Sequence, residues 1–459
     1  MPTVTISNEM LDRYNRAGPR YTSYPTVPYW TKTFGEADYK EALAEVAAKP
    51  EEVLSVYAHL PFCASRCHYC GCNATSTNRP EVVDAYLDRL EREVTMIMEP
   101  MGTKRKVTQL HWGGGTPNFL NEAQMTRVYR LLERYFEILP TAEVSLELDP
   151  RIATRQQLET IKSLGFNRVS LGVQDFNPKV QEAIGRIQPA DMTKNFYWIC
   201  REIGFQSVNV DIVYGLPYQT AISFQKTLDE IVSLKPDRIA SFSYAHLPSS
   251  RTNQKQVDAT GMPNHYEKFA LLQMELETLA AAGYDWIGMD HFAHSTDELA
   301  IAARERRLFR NFMGYTTMPA PHQLAFGMSS ISDLAGRFVQ NDAHLGRYQK
   351  GIDAGHLPID RGMKLSADDK FRRRVIMHMM CNAELPYNLT KAQFGVDVRE
   401  VLGNEIERLR LYVEEGLVSF EPDRIEVTEV GRYFLRNLCM ELDPYLAQKQ
   451  DRPLFSRTI

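Results

Sequence analysis

His59-Leu-Pro-Phe-Cys63-Ala-Ser-Arg-Cys67-His-Tyr-Cys70-Gly-Cys72-Asn73 places four of the chain's seven cysteines within ten residues. Buried cysteines that only fill a core behave as small hydrophobes and need no common spacing. This density therefore points to thiolates gathered around one centre, and soft thiolates select zinc, copper(I) or iron–sulfur clusters. Structural zinc uses four ligands, commonly from two separated Cys-x-x-Cys pairs. Cys67-x-x-Cys70 is the one such pair here, with no second pair downstream. A redox disulfide would use two cysteines. Cys63-x-x-x-Cys67-x-x-Cys70 suits three corners of a 4Fe–4S cube, whereas four thiolates would complete an electron-transfer cluster. Cys72 stands two residues beyond Cys70, too close to reach the same cube comfortably. An open coordination position is what distinguishes a catalytic metal centre from a structural one.

Outward from this run, short apolar and β-branched segments alternate with helical ones. Strands are expected at Val53–His59, Val107–Trp112, Glu143–Leu148, Arg168–Val173, Ser207–Val213 and Arg238–Tyr244. Their two apolar faces fit a parallel sheet covered by helices. Met125, Val128, Leu132 and Tyr135 share one helical face, as do Phe224, Leu228 and Ile231, and Phe269, Leu272, Leu276 and Leu279. Gly165, Gly204 and Gly283 each mark a helix stop. Six β-then-α units imply an α/β fold, a wound sheet or partial (β/α)6 TIM-like barrel, whose ligands bind at the C-terminal strand ends. The cysteine loop, Gly113-Gly-Gly-Thr-Pro117, Glu147, Asp149, Gln174, Asp211 and Ala245-His246 all fall at or near those ends.

The expected organisation is an N-terminal arm over residues 1–50 covering the active site, a (β/α)6 catalytic domain over 51–345, and a smaller, mainly helical C-terminal domain over 365–459. In the last, Glu415 to Arg432 reads as strand, Pro-Asp turn, strand, helix, like the wing of a winged-helix module. Acidic and basic residues balance there, and the net charge of −5 (53 Lys+Arg, 58 Asp+Glu) gives no basic field for nucleic acid. No apolar run is long enough to span a bilayer, and the N-terminus does not read as a secretory signal. Clustered, odd-numbered cysteines argue against a disulfide framework, so a cytoplasmic protein with reduced thiols is expected.

The Cys-x-x-x-Cys-x-x-Cys loop after a first strand resembles the signature of radical S-adenosylmethionine enzymes. The resemblance is closer still to the oxygen-independent coproporphyrinogen III oxidases and covers almost the whole chain. It is carried by Arg20-Tyr-Thr-Ser-Tyr-Pro-Thr26, Cys70-Gly-Cys-Asn73, His111-Trp-Gly-Gly-Gly-Thr-Pro117, Val173-Gln-Asp-Phe176, Asp211-Ile-Val-Tyr-Gly-Leu-Pro217, Tyr244-Ala-His-Leu-Pro248, Gly288-Met-Asp-His-Phe-Ala293 and Arg310-Asn-Phe-Met-Gly-Tyr-Thr-Thr317. Departures are Tyr69, where phenylalanine is usual, and His294-Ser-Thr296, where arginine and proline are usual.

The resemblance implies a 4Fe–4S cluster on Cys63, Cys67 and Cys70, with the fourth iron chelating S-adenosylmethionine, and a second S-adenosylmethionine besides. Cys72 is then a family marker and not a ligand. The family's cofactor-contacting positions fall on Tyr57, Tyr69, Gly114, Gly115, Thr116, Glu147, Gln174, Arg186, Asp211, Ala245 and Ile331. Glycines would let backbone approach the methionine moiety, Asp211 would accept ribose hydroxyls, and Arg186 would pair with the cofactor carboxylate. The implied reaction is oxidative decarboxylation of the ring A and B propionates of coproporphyrinogen III to vinyl groups through a 5′-deoxyadenosyl radical. A reduced flavodoxin- or ferredoxin-type donor and a monomeric state are expected. Arg20 and Arg310 are the candidate partners of the propionates, and Tyr21 and Tyr24 would cover the macrocycle. A haem methyltransferase-type radical enzyme and a non-catalytic haem chaperone are the alternatives. Chaperone relatives usually lack the Cys-Gly-Cys extension and the arm motif. His59, His68 and His291 are expected to be ordinary hydrogen-bonding histidines.

Overall fold

The computed structural model describes residues 6–447 and 455–458. The chain divides into two compact units: 31–263 with 318–364, and 1–30 with 264–317 and 365–459.

In the larger unit, β1 (Leu54–Leu60), β2 (Arg105–Gly114), β3 (Phe136–Leu148), β4 (Arg168–Gln174), β5 (Ser207–Tyr214) and β6 (Arg238–Ser243) lie side by side in chain order. Every neighbouring pair is parallel. Helices α1 (Pro80–Met98), α2 (Glu122–Tyr135), α3 (Arg155–Ser163), α4 (Ala190–Ile203) and α5 (Ala221–Leu234) make the crossovers. This is the winding of a partial (β/α)6 barrel; β1 is buried along almost its whole length, while β4 and β5 alternate buried apolar positions with half-buried ones such as Ser170, Asn209 and Asp211.

The helix boundaries have local causes. Asn121, Thr154 and Thr220 cap α2, α3 and α5 by accepting from the backbone three residues on. Gly165 and Gly204, at φ 103° and 87°, turn the chain out of α3 and α4 into the next strand. The anticipated apolar faces are the buried ones: Phe224, Leu228 and Ile231 of α5 are fully covered. Beyond the anticipated strands, β7 (His322–Phe326) pairs parallel with β1. Antiparallel β8 (Ile331–Leu334), β9 (Arg337–Asn341) and β10 (Ile359–Lys364) continue the sheet on that side.

The smaller unit collects the helices Asn8–Tyr14, His265–Ala281 and Ala367–Asn382, and a three-stranded sheet in which Arg424–Val427 lies between Glu384–Pro386 and Val418–Phe420. The expected strand, turn, strand, helix is present, ending in the helix Glu429–Tyr433. The third strand, Glu384–Pro386, was not legible because it is three residues long and contains a proline.

Two expectations need correction. Residues 1–50 are not one arm: Glu36–Ala47 is a helix of the larger unit, and residues 1–30 belong to the smaller. The C-terminal end of the Glu36–Ala47 helix is held by Arg105, which is wholly buried and donates to the carbonyls of Val46, Lys49 and Glu52. Likewise 264–317 clusters with the C-terminal segment, so the cut near residue 345 does not coincide with a boundary between compact units.

Tyr21 and Tyr24 are also not free to cover a ligand with their rings. Both are buried in the apolar core of the smaller unit, beside residues such as Val375, Met379 and Leu438. The Tyr21 hydroxyl donates to Asp443. An aromatic residue in a short motif carries no signal that separates a ligand platform from a core side chain.

Candidate cluster and cofactor site

Within the larger unit the C-terminal strand ends gather the unusual chemistry. After β1 the chain forms a two-residue strand, Phe62–Cys63, paired parallel with Thr75–Ser76, so the cysteine loop leaves and returns at one place. The loop is fixed by a distant segment. Asn253 Nδ2 donates to the carbonyls of Cys67, His68 and Cys70 at 3.0, 3.1 and 2.9 Å. Gln254 Nε2 reaches the carbonyls of Tyr69 (2.7 Å) and Ala245 (3.2 Å). Both lie on the 3₁₀ turn Thr252–Gln256 and are buried. They are the principal site residues that the sequence did not reveal.

Each of the three candidate ligands has its own surroundings. Cys63 Sγ lies 3.3 Å from the Thr116 hydroxyl, and burial pushes its thiol up to about 11. Cys70 Sγ accepts from the Cys72 amide at 3.4 Å. The Cys72 thiol also hydrogen-bonds to it, holding Cys70 down to about 6 while Cys72 is pushed up. Cys67, only 7% exposed, faces two guanidinium groups: Arg151 Nη2 and Arg186 Nη1 each lie 3.7 Å from its sulfur. All seven cysteines are free thiols.

This donor set fits an iron–sulfur cube. Soft thiolates are its ligands, and nearby cations and N–H donors offset the negative charge it brings. Among the described residues no three His, Cys, Asp or Glu side chains converge as a single bare ion would require.

Around the loop, Tyr57 and His111 stack at 5.9 Å between ring centres. The Tyr57 hydroxyl is 3.1 Å from His59 Nδ1. His59 Nε2 lies 3.0 Å from the Asn73 carbonyl, which can only accept. His59 is thus the Nε2–H tautomer, taking the tyrosine proton at Nδ1, and burial lowers its pKa. Both of its ring nitrogens are hydrogen-bonded, and His68 Nδ1 contacts the Ala183 carbonyl at 3.4 Å. His291, in the smaller unit, packs edge-on against Tyr315.

Glu147 ends β3 with its side chain 45% exposed, 3.7 Å from His111 Nε2. Asp211 is recessed on β5. Its Oδ1 accepts from Ser170 Oγ (2.9 Å) and Asn209 Nδ2 (2.8 Å), while Oδ2 has no hydrogen bond among the described residues. Burial, reinforced by the Glu147 charge, raises this carboxyl to about 7. Gln174 closes β4 with φ at 72°, an uncommon conformation for a residue with a Cβ and one found disproportionately at functional sites. Ala245 follows β6, and Ile331 opens β8 and pairs with Gln340.

The glycine run and Arg186 have partners of their own within the chain. The N–H groups of Gly115 and Thr116 already bond to the carbonyls of Leu60 (2.9 Å) and Phe62 (2.8 Å), so they are not free donors for a methionine moiety. A Cβ on Gly114 would strike the His59 ring at 2.6 Å, and one on Gly115 the Pro61 carbonyl at 2.6 Å. The glycines therefore let β2 lie directly against the end of β1.

Arg186 is engaged by Asp149 (3.1 Å), Gln188 (3.1 Å), the Gly172 carbonyl (2.7 Å) and Cys67. Tyr69 packs beside Val180, Ile184, Val213, Leu216 and Tyr244. In the smaller unit, Arg20 pairs with Asp290, and Arg310 lies over the Tyr315 ring at 5.1 Å.

The chain matches the Radical SAM superfamily over residues 57–231 and the HemN C-terminal domain over 365–434. Fold, thiolate triad and match together define a radical S-adenosylmethionine enzyme. It is 42% identical to the oxygen-independent coproporphyrinogen III oxidase of Salmonella typhimurium over 450 residues, covering 98% of each chain. The enzyme of the same name from Helicobacter pylori is 39% identical over 457 residues, with 99% of this chain and 100% of that one covered. The solved structure of Escherichia coli coproporphyrinogen III oxidase (HemN), described as a radical SAM enzyme, superposes with a TM-score of 0.89 at 41% identity, covering 93% of this chain and 97% of that one. The chain belongs to the oxygen-independent coproporphyrinogen III oxidase family.

Proposed function

We propose that this chain converts coproporphyrinogen III to protoporphyrinogen IX without oxygen, by oxidative decarboxylation of the ring A and B propionates to vinyl groups. The observation that carries the reading is full-length similarity to enzymes of that name, joined to a three-thiolate loop at the mouth of a partial barrel. Cys63, Cys67 and Cys70 would hold a 4Fe–4S cluster. With S-adenosylmethionine bound, such a cluster supplies a 5′-deoxyadenosyl radical, chemistry that belongs to the cofactor.

The chain's own residues bind and orient. Tyr57 presents an aromatic face beside the loop. Asp211 offers its unused Oδ2 to ribose hydroxyls, and Glu147 offers an exposed carboxylate to the cofactor's ammonium groups. Gln174, Ala245 and Ile331 line the remaining strand ends. For each vinyl group, one hydrogen leaves the propionate β-carbon, carbon dioxide departs, and one electron passes to an acceptor. Arg20 and Arg310 are the candidate cations for the propionates. Two S-adenosylmethionine molecules, a flavodoxin- or ferredoxin-type donor, a monomeric state and a cytoplasmic location complete the reading.

The test is anaerobic. Reconstituted protein with reductant, S-adenosylmethionine and coproporphyrinogen III should yield protoporphyrinogen IX, and Cys67→Ala should yield none. Cofactor cleavage without carbon dioxide release from the porphyrinogen would overturn the substrate assignment.

A further inference from the structure

We infer that Arg151 is a positioning residue that sets the reduction potential of the cluster through the sulfur of Cys67. The inference rests on the cluster reading above and extends it to a residue with no assigned role.

The observation is an asymmetry among the three thiolates. Cys63 has a neutral hydroxyl beside it, and Cys70 an amide and a thiol. Arg66, the cation next to Cys70, donates to the Cys72 carbonyl and to no sulfur. Cys67 alone among the three, within the described residues, has guanidinium groups directed at its sulfur, and it has two.

Those two groups share one carboxylate. Arg151 grips Asp149 with Nε (3.0 and 3.2 Å) and Nη2 (2.7 Å), and Arg186 Nη1 reaches Asp149 Oδ2 at 3.1 Å. The Arg151, Asp149 and Arg186 side chains are 18%, 8% and 8% exposed. Asp149 keeps its charge although burial opposes it, because both guanidiniums lower its pKa. The triad therefore carries one net positive charge, largely shielded from water, on one ligand sulfur.

The triad is rigid as well as charged. Asp149 exchanges two backbone hydrogen bonds with the Asn118 side chain, and Arg186 is anchored by Gly172 and Gln188. Reduction adds a negative charge spread in part over the thiolates, and hydrogen bonds and cations at those sulfurs raise the potential. Removing Arg151 leaves the neutral pair Asp149–Arg186, so reduction becomes harder. Neutralising Asp149 leaves two cations, so reduction becomes easier.

The experiment is an anaerobic redox titration of the reconstituted protein, followed by the paramagnetic resonance of the reduced cluster, with iron counted on each sample. Arg151→Gln should shift the midpoint to more negative potential by at least a tenfold change in the one-electron equilibrium, about 59 mV. Asp149→Asn should shift it the opposite way. Arg151→Lys, which keeps the charge, should stay near the parent.

Opposite shifts support the role, because a purely structural part would deplete iron in both variants without moving the potentials in opposite directions. Fully loaded Arg151→Gln and Asp149→Asn with unmoved potentials would overturn it. So would a fall in Arg151→Lys as large as in Arg151→Gln. Should Arg151→Gln fail to take up iron, an unmoved Asp149→Asn suffices to reject the inference. A parent protein with no four-iron cluster would instead reject the cluster reading itself.

Discussion

Asn253→Ala should open the cysteine loop before any cluster is bound. The two N–H groups of this amide serve the carbonyls of Cys67, His68 and Cys70, and the side chain is 7% exposed, so water does not replace them readily. Two hydrogen bonds lost at about 1 to 1.5 kcal/mol each give roughly 3 kcal/mol, which is roughly 100-fold in the balance between closed and open loop. Alkylation of Cys67 in the metal-free protein, resolved by peptide mass spectrometry, reads that balance because its thiol is covered in the closed loop. The Ala variant should react roughly 100-fold faster than the parent. Asn253→Asp has the same shape but points a carboxylate oxygen at three carbonyl oxygens, so it should react faster still. An Ala variant indistinguishable from the parent, or an Asp variant slower than Ala, would refute the reasoning.

Other consequences concern pH and close packing. Asp211, raised to about 7 from 3.8, is largely protonated below neutrality, so S-adenosylmethionine affinity should climb as pH rises through about 7. Calorimetry should find that climb flattened in Asp211→Asn, and an unaltered pH profile would count against Asp211 as the ribose acceptor. Glu93 is fully buried, accepts from Gly327, Tyr348 and Asn341, and is raised from 4.5 to about 7 by burial. Because its folded pKa lies above the unfolded one, its contribution is intact below about 4.5 and is lost as pH rises through about 7, by roughly 3 kcal/mol. Denaturant titrations at pH 5 and 8 should show a smaller loss in Glu93→Gln; an equal loss would assign the pH dependence elsewhere. Gly115→Ala drives a Cβ into the Pro61 carbonyl at 2.6 Å and should cost about 2 kcal/mol, with iron uptake falling. Gly71→Ala, in the cysteine loop with nothing within 4 Å of the added Cβ, should leave melting temperature and iron content unchanged. Equal melting temperatures for the two variants would contradict the packing argument.

The six parallel strands were readable because short runs with β-branched and apolar residues at their buried positions separate cleanly from amphipathic helices. Position at a strand end then pointed to Glu147, Gln174 and Asp211, and local spacing to the three thiolates. What stayed hidden depends on contacts remote in sequence. Asn253 and Gln254 are ordinary amides in a short 3₁₀ turn, and nothing local ties them to a loop near residue 67. Arg151 reads as a generic cation, and Arg186 only as a partner for the cofactor carboxylate, until folding brings both to one sulfur. Asp149-Pro-Arg151 at the end of β3 was the available hint. Tyr21 and Tyr24 show the reverse error, since a tyrosine suits a core as well as a ligand. The division of the chain was misplaced because 264–317 supplies two helices and two locally paired hairpins, and nothing in such local elements says which compact unit they join.

The spectrum of the reduced cluster, recorded with and without S-adenosylmethionine in the parent and in each cysteine-to-serine variant, tests the open fourth iron most directly. The account predicts a cluster whose signal changes on adding S-adenosylmethionine in the parent and in Cys72→Ser, and loss of that cluster in Cys63→Ser, Cys67→Ser and Cys70→Ser. A parent signal indifferent to S-adenosylmethionine, or a cluster that needs Cys72, would contradict it.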